Sequence, residues 1–405
     1  MDGLTAARSR DAAAELDARD PLRAFRERFV IDPGVVYLDG NSLGCLPRAT
    51  VARLESVVAQ WGERGVRGWD EGWLELPVEI GDRLGAAALG AAPGQTVIGD
   101  STTVCFYKLA TAALDARPGR TQILTDVDNF PTDRYVLEGL ARARGLELVW
   151  LEGDRAGGPT PEQVAAVIGP DTALATFSHV SYRSAHIAEM AAIDQVVADA
   201  GALMLWDLSH SAGSVPLSLD GDHAGLAVGC TYKYLNAGPG APAYMYVARD
   251  LQPELRQPIW GWLGRRDPFE MAPGYEVAGG MRGFLSGTPP ILSLAAVDEG
   301  VRLIAGAGID AIRAKGIALT EFAVALADAL LAPLGVAVAS PRDPARRGAH
   351  VALAHPDARR LCAQLVDAGV IPDFRRPDVI RFGLSPLTTR FVDVWDGVEA
   401  LRRFA

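Results

Sequence analysis

The chain has 405 residues, of which 49% are hydrophobic, and it carries a formal net charge of −11. This length predicts two domains, or one large and one smaller domain, with ample apolar residues for a large core. The negative charge argues against nucleic acids and anionic membranes as partners, because both are bound by basic surfaces.

The cysteines and the opening residues indicate a reducing compartment. Cysteines at positions 45, 105, 230 and 362 form no CxxC pair. This spacing favours free thiols over a disulfide framework or a zinc site, and we expect no metal. The stretch 1–20 is polar and lacks the apolar segment of a secretory signal, and no uncharged apolar run reaches membrane-spanning length. We therefore expect a soluble, cytoplasmic protein that has no membrane partner.

Short apolar strands alternate with helical stretches between residues 95 and 250. The predicted strands are 121–126, 146–151, 173–178, 203–207, 226–231 and 243–248. Apolar residues at helical spacing predict helices over 104–114, 132–145, 161–169 and 190–201. This alternation predicts an α/β domain with a mostly parallel sheet covered by helices. Ligands of such sheets bind beyond the carboxyl ends of the strands.

The pattern changes after about residue 286. Two long helices are predicted over 291–308 and 311–335. A short α+β pattern follows, with strands over 350–356 and 379–385 and helices over 357–369 and 391–404. We predict three parts: residues 1–55, which pack beside the small domain or cross to a partner subunit, a large α/β domain over 56–285, and a smaller C-terminal α+β domain over 286–405.

Lysine is scarce in this chain, which has 36 arginines but only Lys108, Lys233 and Lys315. Lys233 lies in "CTYKYLNAGPGAP" (230–242), after a predicted buried strand and between two tyrosines. An amine can lose its proton and form a Schiff base with a carbonyl, whereas a guanidinium stays protonated. We interpret Lys233 as reactive, and Lys108 and Lys315, in predicted helices, as ordinary solvated lysines.

Polar residues also follow other predicted strands. "GDSTTV" (99–104) can bind phosphate at a helix N-terminus or be an ordinary N-cap. Phe130 and Asp133 in "DNFPTDRY" can serve a bound ring, or can simply pack against and cap the next helix. Asp207 ends a buried strand in "LWDLSH" and needs a partner there, for which a pyridinium N–H is suitable. A phosphate cradle, an aromatic ring, a carboxylate and a reactive lysine together match the requirements of pyridoxal 5′-phosphate (PLP).

The chain resembles the kynureninase family, PLP enzymes of the aspartate-aminotransferase fold, also called fold type I. The resemblance extends from residue 37 to residue 387 and rests on the motifs "YLDGNSLG", "FPTD", "WDLSH", "YKYLNAG", "GWLG" and "SGTPP". It implies a mostly parallel seven-stranded sheet flanked by helices, with a smaller α+β C-terminal domain. It also implies a homodimer with shared active sites that cleaves L-kynurenine with water to anthranilate and L-alanine.

The resemblance implies roles for individual residues. Lys233 would bind the cofactor covalently and act as a base, Asp207 would pair with the pyridine nitrogen, and Tyr232 is a candidate oxyanion donor. The other implied cofactor contacts are Thr102, Thr103, Ser178 and Tyr232, chiefly to the phosphate, and Phe130, Asp133, His210, Trp262 and Thr288, the last two from the second subunit. The implied substrate contacts are Arg381, which would pair bidentately with the α-carboxylate, Trp69 and Asn41. Trp262 could instead be a core aromatic, and neither His179 nor His186 receives a role.

Two other functions remain open at this point. Another PLP reaction on the same fold, such as cysteine desulfuration or transamination, is one, because fold alone does not set function. A desulfurase needs a loop cysteine near the cofactor, whereas Cys362 lies in a predicted helix. The other is a PLP-binding or ligand-sensing protein without catalysis.

The resemblance also predicts a choice between substrates. Kynureninases that prefer 3-hydroxykynurenine carry a histidine where this chain has Trp69, and a Ser-Asn pair where it has Gly287-Thr288. We therefore expect L-kynurenine to be preferred here. The alternative is that Trp69 merely packs in the core near Trp61 and Trp73.

Overall fold

The computed structural model describes residues 9–154 and 156–405. Residues 1–8 of the predicted N-terminal segment and residue 155 lie outside the described residues. The α-helices of the described chain are α1 (Arg10–Arg19), α2 (Arg48–Arg64), α3 (Leu76–Leu84), α4 (Thr102–Asp115), α5 (Pro131–Arg144), α6 (Pro161–Val167), α7 (Met190–Asp199), α8 (Ile291–Ala307), α9 (Ile309–Leu326), α10 (Ala358–Asp367) and α11 (Phe391–Phe404). Its strands are β1 (Phe29–Val30), β2 (Val36–Tyr37), β3 (Leu46–Pro47), β4 (Thr96–Ile98), β5 (Gln122–Asp126), β6 (Glu147–Leu151), β7 (Thr172–Ser178), β8 (Leu203–Asp207), β9 (Leu226–Gly229), β10 (Tyr244–Val247), β11 (Ala337–Val338), β12 (His350–Ala354), β13 (Val370–Ile371), β14 (Asp373–Arg375) and β15 (Val379–Gly383).

Seven strands form the central sheet in the order β4-β10-β9-β8-β7-β5-β6. Strand β10 runs antiparallel to β4 and β9, and the other neighbours are parallel. Six of these strands were predicted, each with ends within two residues of those observed. The seventh, β4, is only three residues long, too short for an apolar run to reveal it. The predicted fold class is confirmed.

The central strands are covered by helices on both faces. Ile123 and Leu205 point to one face and pack in a cluster with residues of α4 and α5. Their neighbours Leu124 and Trp206 point to the other face and pack with residues of α3, α7 and α8. Because both faces are covered, strand β8 is buried at all five positions, as expected for a parallel sheet.

A second, entirely antiparallel sheet of order β11-β12-β15-β14 forms the core of the C-terminal part. Residues of α9, α10 and α11 pack with it in one apolar cluster. Ala13 and Leu38 from the N-terminal part of the chain belong to the same cluster, and β2 pairs with β13. The C-terminal part is therefore the predicted α+β domain.

Helix α8 bears on where one domain ends and the next begins. Leu294, Val297 and Ile304 of this helix pack in the cluster of the central sheet. Along α9, Ile312 still belongs to that cluster, whereas Leu319 belongs to the cluster of the small sheet. We therefore propose that the small domain begins within α9 and not at residue 286.

The helical run Ile309–Leu334 is long and apolar enough to cross a membrane, judged by length and composition alone. The run contains charged residues, so it is not one of the uncharged apolar runs considered in the sequence. Leu319, Phe322 and Leu326 on this run are buried in the small-domain cluster. Lys315 on the same run forms an ion pair of 2.7 Å with Asp20. We interpret the run as a core helix.

Candidate active site

The carboxyl ends of adjacent strands bring the predicted site residues together. Ser178 at the end of β7 lies directly opposite Asp207 at the end of β8. Asp207 in turn lies opposite Val228 of β9, the strand that precedes Lys233. Because these strands are parallel, their polar ends share one edge of the sheet, and it is there that ligands of such sheets bind.

Lys233 is 8% exposed and lies in the loop after β9. Its Nζ is 5.6 Å from the centroid of the Phe130 ring and 6.0 Å from that of Tyr232. Backbone hydrogen bonds from Asn236 N to Lys233 O and from Ala237 N to Thr231 O, of 2.9 and 3.0 Å, hold the loop. The amine therefore lies in a buried pocket beside two aromatic rings, within reach of a ligand at this edge of the sheet.

The glycine at the end of "YLDGNSLG" explains why this distant motif matters to the site. Gly44 N donates a hydrogen bond of 2.8 Å to the carbonyl oxygen of Tyr232. A Cβ atom on Gly44 would lie 2.3 Å from the carbonyl oxygen of Lys233. The loop therefore packs against the Lys233 backbone so closely that only glycine fits.

Asp133 and Asp207 form a buried pair of carboxyl groups beside Lys233. They are 2% and 5% exposed, and Oδ1 of Asp207 accepts a hydrogen bond of 2.8 Å from Ser209 N. Burial and the neighbouring Asp207 raise the pKa of Asp133 well above its usual value, and Lys233 partly opposes this effect. Oδ2 of Asp133 finds no hydrogen-bond partner in the described chain.

His210 is buried behind the same strand end, and its Nδ1 finds no hydrogen-bond partner in the described residues. Its ring centroid lies 5.6 Å from that of His350, the first residue of β12. Burial and the nearby Lys233 hold the pKa of His210 well below its usual value, so the ring is neutral. Sequence reasoning missed His350, because a histidine that begins an apolar strand carries no local signal.

Phe130 precedes α5 and contacts the ring of Tyr182 edge-on, with centroids 5.4 Å apart. Asn129, which sequence reasoning also missed, fixes this position. Its Oδ1 accepts hydrogen bonds of 2.8 Å from both Ser178 Oγ and Phe130 N. Burial raises the pKa of Tyr232, so its hydroxyl keeps a proton that it can donate.

The phosphate-binding prediction concerns the first turn of α4. Ser101 is the N-cap and accepts a hydrogen bond of 3.4 Å from Val104 N. Thr102 is half-buried and Thr103 exposed, in the first two positions of the helix. Ser101 and Thr288 line one cavity of about 300 Å³. The structure therefore places Thr288 and the helix N-terminus at a common cavity within one chain.

Trp69, Trp262 and Thr288 form a second group. Nε1 of Trp262 donates a hydrogen bond of 3.3 Å to Thr288 Oγ1. The ring of Trp69 contacts Trp262 edge-on, with centroids 5.9 Å apart, and contacts Trp73 at 5.5 Å. Trp61 is 61% exposed and is therefore no part of a core around Trp69.

Arg381 on β15 is 1% exposed and already has a carboxylate partner. Its Nε donates a hydrogen bond of 2.7 Å to Asp373 Oδ1, and its Nη2 donates to Asp373 Oδ2. Nη2 also donates to Ser42 Oγ at 3.2 Å, and Nη1 donates to the carbonyl oxygen of Tyr182. With its amide oxygen towards Arg381, Asn41 accepts from Nε and Nη2 at 3.2 and 3.1 Å.

These contacts limit how Arg381 can bind a substrate carboxylate. Four of the five N–H donors of the Arg381 guanidinium are engaged by Asp373, Ser42 and Tyr182. A bidentate pair between Arg381 and a substrate carboxylate therefore requires that Ser42 or Asp373 be displaced. Burial opposes the charge of Asp373, but its hydrogen bonds to Arg381 and the charge of Arg375 hold its pKa below the usual value.

The prediction that Lys108 and Lys315 are solvated is wrong. Lys108 is fully buried, and its Nζ lies 2.5 Å from Asp100 Oδ2. Lys315 is 7% exposed and pairs with Asp20. Both predictions failed because each lysine is bound by a group that is distant in sequence, the carbonyl oxygen of Phe284 for Lys108 and Asp20 for Lys315.

Known proteins provide an independent comparison. The family model described as "Kynureninase C-terminal domain" matches residues 312–401. The chain is 44% identical over 403 residues to the kynureninase of Burkholderia pseudomallei (strain K96243), covering 98% of this chain and 95% of that protein. It is 40% identical over 401 residues to the kynureninase of Pseudomonas fluorescens, covering 97% and 94%.

Solved structures support the fold. The apo cysteine desulfurase from Thermococcus onnurineus NA1 matches with a TM-score of 0.83 at 19% identity, over 94% of this chain and 97% of that one. The cystine C-S lyase C-DES, in complex with cysteine persulfide, matches with a TM-score of 0.81 at 18% identity, over 91% and 98%. At such identities the likeness concerns the fold alone, which is fold type I. The identity of 40 to 44% over nearly the whole length settles the family: the chain belongs to the kynureninases.

Proposed function

We propose that this protein uses PLP to cleave L-kynurenine with water, giving anthranilate and L-alanine. The observation that carries the proposal is the near full-length identity to curated kynureninases. The buried Lys233 beside Phe130 and the Asp133–Asp207 pair supplies the matching chemistry. The reaction class is hydrolysis of a carbon–carbon bond next to a ketone.

The residues at the strand ends fit PLP. Lys233 offers an amine for its aldehyde, Phe130 an aromatic face, and the first turn of α4 a set of N–H groups and hydroxyls for its phosphate. Asp133 Oδ2 and His210 Nδ1 are buried polar atoms without a partner in the described chain. Buried polar atoms are costly unless they are hydrogen-bonded, so a polar ligand at this edge suits them.

Bound PLP supplies a conjugated ring that can accept the electrons of a carbanion. Asp207 would hold a proton on the ring nitrogen, because a negative partner raises the pKa of a pyridine. Lys233, once its amine is free, takes the α-proton of the substrate as a general base. Tyr232 donates its hydroxyl proton in a hydrogen bond to the oxyanion that forms when water adds to the γ-carbonyl.

The substrate carboxylate lies at the Nη1 side of Arg381 in this proposal. The Nε–Nη2 side is held by Asp373, so Ser42 Oγ is the group that gives way. Asn41 and Ser42 come from the same loop and both contact Arg381, which supports a role for both beside the substrate carboxylate. Trp69 contacts the aniline ring of the substrate.

The active unit in this proposal is a homodimer, in which Trp262 and Thr288 complete the phosphate site of the second subunit. Exposed apolar side chains surround these residues. Phe269 is 52% exposed and packs on Trp262 with ring centroids 5.9 Å apart, and Trp260 is 64% exposed. A second copy of the chain would cover this surface, since monomers rarely leave such aromatic groups in water.

A desulfurase-like reaction has less support, although the solved neighbours include desulfurases. Cys362 lies within α10 and is buried. Burial raises the pKa of this thiol to about 11, which leaves little thiolate at neutral pH. Cys362 therefore does not provide the nucleophilic loop cysteine that a desulfurase needs.

The direct test is fluorescence of anthranilate after L-kynurenine is mixed with the PLP-loaded protein. We expect turnover in the wild type and none above background for Lys233→Ala. Borohydride reduction and peptide mapping should then place the PLP label on residue 233. A label on Lys108 or Lys315, or no anthranilate from the wild type, would contradict the proposal.

A further inference from the structure

Lys108, in the second turn of α4, is a fully buried ammonium group. Its Nζ lies 2.5 Å from Asp100 Oδ2 and donates a hydrogen bond of 3.1 Å to the carbonyl oxygen of Phe284. Burial of a charge is costly unless the charge is paired and hydrogen-bonded. These two contacts therefore determine where the Lys108 side chain, Asp100 and the Phe284 backbone lie relative to one another.

Asp100 connects Lys108 to the cavity at the helix N-terminus. It directly precedes the N-cap Ser101 and has a backbone φ of 53°, a left-handed conformation that is strained for a residue with a Cβ. Its side chain is 34% exposed, and it lines the cavity of about 300 Å³ together with Ser101 and Thr288. A carboxylate thus lies beside the place where a phosphate dianion would bind.

Phe284 connects Lys108 to the opposite wall of the same cavity. It ends the 3₁₀ segment Gly280–Phe284, from which the chain continues to Gly287 and Thr288. Leu285, Gly287 and Thr288 line the cavity. One ammonium group therefore holds the helix N-terminal loop on one side and the Thr288 segment on the other.

We propose that Lys108 is a positioning residue for the phosphate group of the cofactor. It neutralises Asp100, whose charge would otherwise repel the phosphate, and through Phe284 it holds the helix N-terminal loop at a fixed distance from the Thr288 segment, which serves the phosphate site of the second subunit. The inference rests on the proposed placement of the phosphate at the first turn of α4. Lys108 itself lies behind the cavity wall and acts through Asp100 and Phe284.

The test compares two ligands that differ only in the phosphate. Full-length Lys108→Met protein is dialysed to equilibrium against PLP or against pyridoxal, and the bound ligand is quantified by absorbance. Loss of an interaction with a charged group costs about tenfold or more in affinity. We expect the Kd for PLP to rise by about that factor, and the Kd for pyridoxal to change less than about twofold.

Lys315→Met is the matched control, because Lys315 is likewise buried and paired with an aspartate but contacts Asp20 instead. It should leave both Kd values unchanged. Asp100→Asn in the Lys108→Met background should recover part of the PLP affinity, since it removes the unpaired carboxylate. A merely structural role for Lys108 would not produce this recovery.

Lys108→Gln, which keeps a donor for Phe284 without the charge, replaces Lys108→Met if the latter fails to fold. An unchanged Kd for PLP, or an equal loss for PLP and pyridoxal, would overturn the inference. Failure of the underlying phosphate assignment has a different signature: Thr102→Val and Thr103→Val would then leave the Kd for PLP unchanged as well. Absence of anthranilate production by the wild type would concern the proposed reaction only.

Discussion

Asp373 accepts hydrogen bonds from both Nε and Nη2 of Arg381, so the buried guanidinium carries a fixed carboxylate partner within its own chain. The partner lies eight residues before Arg381, on the neighbouring strand of the small sheet. In the proposed function, a substrate carboxylate would therefore meet Arg381 at its Nη1 side, where one N–H already donates to the carbonyl oxygen of Tyr182.

Asp373→Asn should raise the KM for L-kynurenine and lower kcat/KM by about tenfold to a hundredfold, the cost of losing a hydrogen bond to a charged group. The amide places an N–H group against one guanidinium nitrogen and so disturbs the orientation of Arg381. Steady-state kinetics provide the measurement, and Asp357→Asn, an exposed position of the same domain, is the control. A lower KM in Asp373→Asn would mean that Asp373 competes with the substrate for Arg381.

Asp207→Asn should keep some bound PLP but lose turnover by about a hundredfold, because an amide cannot hold the ring nitrogen protonated. Absorbance of bound PLP and anthranilate fluorescence measure the two properties separately. Asp126→Asn is the control, since Asp126 is also a strand-end aspartate, at the end of β5. Turnover near that of the wild type in Asp207→Asn would rule out the role.

The free energy of unfolding should depend on pH through Asp194. Burial raises the pKa of Asp194 to about 7, although Nε1 of Trp206 donates to both its oxygens at 3.0 and 3.1 Å. The folded state thus binds the proton more tightly than the unfolded chain, and stability falls as pH rises from about 4 to about 7.

Asp194→Asn removes this titration and keeps an acceptor for Trp206. We expect urea unfolding of the variant to lose less stability than the wild type between pH 4 and pH 7. Asp199→Asn, an exposed position of the same helix, should follow the wild type. Parallel pH curves for wild type and Asp194→Asn would show that Asp194 does not titrate in this range.

Shared active sites predict complementation between two inactive chains. Lys233→Ala and a Thr288→Ala variant should each lose activity, and mixing them should restore part of it in heterodimers that contain one intact site. Size-exclusion chromatography combined with light scattering gives the mass of the mixture. An active protein that is strictly monomeric would contradict the shared site.

The preference between L-kynurenine and 3-hydroxykynurenine tests whether Trp69 contacts the substrate ring. A 3-hydroxyl buried against a tryptophan face and Gly287 would lack the partners that water gave it, at a cost of about 1–3 kcal/mol. We expect kcat/KM for L-kynurenine to exceed that for 3-hydroxykynurenine by at least about tenfold, on the same cost. Trp69→His should shift the ratio towards the hydroxylated substrate.

Because Trp69 contacts Trp262, the Trp69→His variant requires two controls. The Kd for PLP separates an effect on the substrate ring from a disturbed phosphate site, and Trp61→His tests an exposed tryptophan. Equal kcat/KM values for both substrates in the wild type, or no shift in Trp69→His, would mean that Trp69 does not contact the substrate ring.

Local pattern was sufficient to predict the strands of the central sheet and the placement of Ser178, Asp207 and Lys233 at its carboxyl edge. The reason is physical: a buried parallel strand is a short apolar run, and the polar residue that ends it is visible in the sequence. Strand β4 was missed because three residues leave no periodicity to detect.

Contacts between distant segments could not be predicted in this way. Asp373 lies opposite Arg381 on the neighbouring strand of the small sheet, and His350 contacts the ring of His210. Neither residue carries a signal within its own segment. Lys108 and Lys315 were misjudged for the same reason, since they contact the distant Phe284 carbonyl oxygen and the distant Asp20. The charge pairs of this site depend on tertiary structure, whereas its strand ends depend on local sequence.

The loop of residues 41–44 is pressed against both domains at once. A Cβ on Gly44 would lie 2.3 Å from the Lys233 carbonyl oxygen, and a Cβ on Gly383 of the small domain would lie 1.7 Å from Asn41 Oδ1. The loop is therefore packed tightly against the large domain at Gly44 and against the small domain at Asn41. A hinge rotation of the small domain about the large one would push or pull the backbone at Tyr232 and Lys233.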